Sequence, residues 1–186
     1  MKRFSATQNF TVLSDLMRLF SDADEIVYRS FCDLEPDEIA TLCRDARRLA
    51  SHVRLRNPGR KMTDIVRDYG VSVRREEWET PGILFFAECE MSPPLIRLNT
   101  GTISALAGLM RLWAPESDLH WFSDETISEV ATAHELSHIL DPARSPKTRE
   151  LHAHAFAREA TGLPFSPLLY DDLLQRMSKG SEPFRR

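Results

Sequence analysis

His134-Glu135-Leu136-Ser137-His138 is the segment of this chain whose residue types and spacing carry the clearest chemistry. On a helix, residues four apart stand one above the other, so both imidazoles point the same way and can share a metal ion. Glu135 is rotated from that direction yet borders it, where a carboxylate can accept a proton from water beside the metal. Two neutral imidazoles and a carboxylate suit Zn2+, and a catalytic zinc site keeps its fourth position for water. The bland alternative for the same residues is a hydrogen-bonded set of core side chains without metal.

A third ligand has to come from another element. Four of the six histidines lie between 134 and 154, and Glu150-Leu151-His152-Ala153-His154-Ala155-Phe156-Ala157 is dense in donors. Glu150, Ala153, His154 and Ala157 share one stripe by the three-and-four rule, and His152 and Phe156 lie on a neighbouring one. Small alanines beside Glu150 let this helix approach the motif helix closely. Glu150 is therefore the favoured ligand, with His152 and His154 as alternative ligands or as groups around the ligands. Asp141 precedes Pro142, where the helix should stop, and reads as a helix-end residue.

The motif helix must hold both imidazoles in place, and the surrounding residues support it. Ser123 or Asp124 can cap a helix over 124–141, and Ile127, Val130, Ala131, Ala133, Leu136, Ile139 and Leu140 make it apolar on most sides. A helix hydrophobic all round belongs in the core. Further helices are expected at 10–20, 22–32, 36–53, 103–112, 148–161 and 167–178. In the third, Pro36, Asp37 and Glu38 suit a first turn, and Ile39, Leu42, Cys43, Ala46, Leu49, Ala50 and Val53 form the stripe. A short helix capped by Thr63 should end at Gly70. Three strands are expected near 71–75, 82–89 and 94–99, joined as an antiparallel meander. Helices around one clustered sheet give an α+β fold, mostly helical and single-domain, with the motif helix buried. Residues 1–57 read as an N-terminal helical region packed on the same domain, and 58–186 as its core.

Composition excludes several classes. The chain has 186 residues, is 42% hydrophobic and carries a formal net charge of −4. That is a globular composition, without the basic balance expected for nucleic-acid binding. The basic run from Arg44 to Lys61 reads as a solvated helix face. Cys32, Cys43 and Cys89 have no CxxC spacing, so free thiols in a reducing compartment are expected. The longest uncharged stretch, Leu98 to Met110, has 13 residues; a membrane span needs about 20. A cytoplasmic location follows as the expectation.

Ala133-His134-Glu135-Leu136-Ser137-His138 resembles the "AHELGH" signature of the ImmA/IrrE family of zinc metallopeptidases. The later segment resembles that family's "ExEANxFA" stretch, with Glu150, Ala153, Phe156 and Ala157 at matching positions. Asp64-Ile65-Val66 through Tyr69-Gly70-Val71 is similar to the family's entry to the sheet. Leu95-Ile96-Arg97-Leu98-Asn99 is similar to its strand before the motif helix. His152 stands where the family has its second Glu, and His154 where it has Asn; were that second Glu the ligand, His152 would take the role. The resemblance covers about residues 60 to 165. It makes 58–186 a metallopeptidase-like core with Zn2+ as cofactor and a protein or peptide as substrate, such as a helix-turn-helix repressor or antitoxin. In that reading Glu135 moves the proton, and His154, His152 and Tyr170 are candidate donors to the oxyanion. The competing expectation is a metal-stabilised protein-interaction module without turnover, an inactive protease-like regulator or toxin–antitoxin component.

Overall fold

A computed structural model describes residues 6–29, 32–79 and 85–178. The chain runs through α1 (Ala6–Ser21), α2 (Asp24–Arg29), α3 (Pro36–Arg56) and α4 (Met62–Asp68) into β1 (Ser72–Glu76), β2 (Ala87–Met91) and β3 (Pro94–Asn99). It continues through α5 (Thr100–Met110), a 3₁₀ turn (Glu116–Phe122), α6 (Asp124–Leu140), α7 (Pro146–Thr161) and α8 (Leu168–Ser178). The architecture is α+β and mostly helical. No helix among the described residues is long and apolar enough to cross a membrane.

The helices follow their stripes. In α3 the residues Ile39, Leu42, Cys43, Ala46, Ala50 and Val53 are buried, each large apolar side chain stabilising by roughly 1.5–3 kcal/mol. Ser123 caps α6, its hydroxyl accepting from the Thr126 amide at 3.1 Å. Two expectations are corrected in detail. Thr63 does not cap α4; the Glu129 carboxylate of α6 accepts instead from the Met62 and Thr63 amides and from the Thr63 hydroxyl. In α2, Val27 is buried but Ile26 is 56% exposed, and Phe31 lies outside the described residues. Gly70 ends the α4 turn with φ +71°, a backbone that favours glycine.

The sheet is mixed rather than an antiparallel meander. Its order is β1-β3-β2, with β1 parallel to β3 (Val73 opposite Ile96) and β2 antiparallel to β3 (Cys89 opposite Ile96). Three strands that each reverse direction give parallel outer-to-centre pairing once the third inserts between the first two. Burial explains the insertion: Leu95, Ile96 and Leu98 fill both faces of β3, whereas Glu88 and Glu90 suit an edge. The expected strand 82–89 is found as β2 at 87–91, and 82–84 lie outside the described residues. Asn99 turns the chain from β3 into α5, its side chain accepting from the Thr102 amide and donating to the Trp78 carbonyl.

Helix α7 lies between α3 and α6. On the α3 side Ser51 bonds Glu159 at 3.3 Å, and the Arg54 guanidinium donates to the Ala160 carbonyl. Arg158 donates to the carbonyls of Ser21, Asp22 and Pro164 and pairs with the buried Asp24 carboxylate at 2.9 Å. Cys32, Cys43 and Cys89 are free thiols.

Candidate metal centre

The spacing within α6 places the two histidines as expected. Their rings meet edge to face with centroids 4.8 Å apart, on a helix whose flanking Val130, Ala133 and Leu136 are buried. From α7, Glu150 turns its carboxylate to both of them. The Glu150 Oε2 lies 3.2 Å from His134 Nε2 and 3.5 Å from His138 Nε2. All three donor atoms fall within 4.8 Å of one another. Tetrahedral zinc with bonds near 2.0–2.1 Å sets neighbouring donors roughly 3.3 Å apart, so the two histidine–glutamate edges already match that spacing.

The electrostatics suit a divalent cation. Hydrogen bonds from His134 and His138 hold the Glu150 carboxyl far below the usual carboxylate range. Burial pushes the His134 imidazole down, offset in part by Glu150. The donor set is thus one carboxylate and two imidazoles, of which His134 is biased to neutrality. His138 Nδ1 is buried without a partner among the described residues. The three groups could hold a metal ion, and they also hydrogen-bond one another directly.

His152 and His154 are not brought to the cluster. The His152 Nδ1 bonds the Ser137 hydroxyl at 3.0 Å, one residue before His138, and burial pushes its imidazole down to about 4. His154 Nε2 lies 3.1 Å from an Asp171 carboxylate oxygen on α8, and its ring packs edge to face on His134 at 4.6 Å. Of the three possible ligands on α7, only Glu150 reaches both α6 imidazoles. Asp141 ends α6 and pairs with Arg144 at 2.8 Å.

A cavity of about 800 Å³ opens onto the cluster. Its walls come from β2 on one side and α8 on the other, with α6 and α7 beneath. Glu135 lies in it, 8% exposed. The Cys89 thiol of β2 is pushed up to about 12 by burial and by the Glu135 carboxylate beside it, which leaves it a protonated neighbour of that group. Phe86 and Tyr170, both in the lining, meet edge to face at 6.0 Å, and the Tyr170 hydroxyl donates to the Trp121 carbonyl. Cys89, Arg149 and Asp171 are lining residues that spacing along the chain does not single out. Each reaches the site from a different element, and only Arg149 had a local signal: its place directly before Glu150. Comparisons of the chain with protein-family models, curated proteins and solved structures find no match.

Proposed function

We propose that the protein is a zinc-dependent peptidase whose metal is held by His134, His138 and Glu150. The observation that carries this reading is the convergence of those three side chains on the floor of an open cavity that also contains Glu135. A core cluster serving stability alone has no need of such an opening. Zinc in such a site supplies Lewis acidity, which brings the pKa of water to about 7 and polarises a carbonyl.

The chain's own residues would do the rest. Glu135 would take the proton of the attacking water as its oxygen bonds the carbonyl carbon, then deliver it to the amine nitrogen, after which the peptide C–N bond breaks and the carbonyl re-forms. Strand β2 is an edge of the sheet among the described residues, and its Ala87, Glu88, Cys89 and Met91 line the cavity, where an extended peptide can add as a further strand. Among the three candidate oxyanion donors, His152 is engaged by Ser137 and Tyr170 by Trp121. His154 Nε2 is likewise engaged, by Asp171 at 3.1 Å, so each of the three would have to exchange its present partner to hydrogen-bond the carbonyl oxygen. The resemblance to the ImmA/IrrE family supports a regulatory protein, such as a repressor or antitoxin, as substrate, and supports action in the cytoplasm.

Glu135→Gln decides between enzyme and binding module. It keeps shape and hydrogen bonding but removes the basic carboxylate. Zinc content and melting temperature should stay near those of the wild type, and cleavage of a partner trapped by this variant should fall about a hundredfold or more. A trapped partner that wild-type protein leaves intact with zinc present would make the metal structural.

A further inference from the structure

The lining of the cavity combines two chemistries. Phe86, Ile127, Val130 and Leu174 are apolar. Arg149 is cationic and only loosely paired with its neighbour Glu150, whose Oε2 faces the two imidazoles while Oε1 lies 3.7 Å from the Arg149 Nε. That distance is too long for a hydrogen bond. The Nε is buried without a hydrogen-bond partner among the described residues, and no other hydrogen bond from this guanidinium occurs among them.

Other arginines of the fold are matched more closely. Arg144 pairs with Asp141 at 2.8 Å, Arg158 with Asp24 at 2.9 Å and Arg176 with Asp172 at 2.6 Å. Arg149 also sits near the start of α7, in a first turn without an acidic residue. A cation there opposes the helix dipole, and Glu150 at 3.7 Å is its one ion-pair partner among the described residues. Its field extends over the cavity to β2, where it favours the thiolate of Cys89. An arginine with free donors beside a metal cluster matches one ligand chemistry best, because the planar guanidinium fork accepts a carboxylate through two parallel hydrogen bonds.

We propose that Arg149 is a specificity-determining residue of the cavity, binding a carboxylate of the peptide close to the bond that is cut. The substrate class is then peptides with an acidic side chain, or a free C-terminal carboxylate, next to that bond. This inference rests on the peptidase reading and is tested so that the two fail separately.

The probes are end-blocked random pentapeptide pools with Glu or Gln fixed at the centre, and a third pool with Gln at the centre and a free C-terminal carboxylate. Each is titrated by calorimetry into zinc-loaded Glu135→Gln protein, with and without Arg149→Gln. One acidic pool should bind at least tenfold tighter than the blocked Gln pool, and which one does so identifies the source of the carboxylate. Arg149→Gln should erase the difference while zinc content and melting temperature hold. Equal binding of all pools, absent binding, or loss of zinc in Arg149→Gln would overturn the assignment; the last would show that Arg149 serves Glu150 alone. Cleavage by wild-type protein is scored separately. Indiscriminate cleavage keeps the peptidase and removes the role of Arg149, whereas carboxylate-selective binding without cleavage does the reverse.

Discussion

Helix α7 meets α3 and α6 in two different ways. Against α3 the contact includes the buried small residues Ala46 and Ala50 and hydrogen bonds at its margin, and it behaves as ordinary core. Against α6 the same helix presents Glu150 and His152 to His134, His138 and Ser137. Burying polar groups costs free energy that only good partners return, and well-packed apolar residues in their place are often as stable or more so. Apolar packing against both α3 and α6 seats α7, and the polar pairs with α6 are the part that stability alone does not explain. Local choices that stability does not require are expected where a site has to be kept.

That contrast can be broken from either side. The largest effect should come from Phe156→Ala, which empties a fully buried position of α7. Denaturant unfolding should show a loss of about 3–5 kcal/mol, while the folded fraction still binds zinc in the wild-type ratio. Zinc loss from the folded fraction would mean that packing and site are one unit.

Glu150→Ala should act the other way round. Competition with a chelator should show zinc affinity falling more than about a hundredfold, beyond what loss of a supporting group around the ligands causes, with little change in metal-free stability. His152→Ala and His154→Ala should stay within that supporting range. A stronger effect from His152→Ala than from Glu150→Ala would reverse the ligand choice.

A smaller effect concerns pH. The folded chain keeps His152 neutral down to about pH 4, whereas the unfolded chain takes up its proton near the ordinary imidazole value of 6.5. The unfolded state thus binds more protons between those values, and stability falls as pH drops through the window. Thermal melts of metal-free protein at pH 7 and pH 5 should differ by several degrees, and His152→Asn should shrink the difference. An unchanged difference would place the titration elsewhere.

Local periodicity made α3, α6 and α7 readable, because their stripes and caps lie within a few residues. The pairing of His134 with His138 follows from helix geometry alone, and the alanines around Glu150 foretold a close helix approach. Glu129 as the cap of α4 was hidden, since the donors stand 66 and 67 residues away in sequence. The parallel pairing of β1 with β3 was hidden for another reason: the strands themselves were visible, but which one lies in the centre depends on burial of Leu95, Ile96 and Leu98 against the rest of the fold. Arg149 and Asp171 gain meaning only once β2 and α8 face each other across the cavity.

Arg158 has a consequence for the order in which the molecule assembles. One guanidinium ties residues more than 130 positions earlier, Ser21, Asp22 and Asp24, to Pro164 six positions later. The short link forms as soon as the α7–α8 turn does. The long ones must close most of the chain into a loop, and contacts of that separation form slowly. The tie between Ser21, Asp22, Asp24 and Arg158 therefore closes only after α7 has been synthesised, late in the growth of the chain.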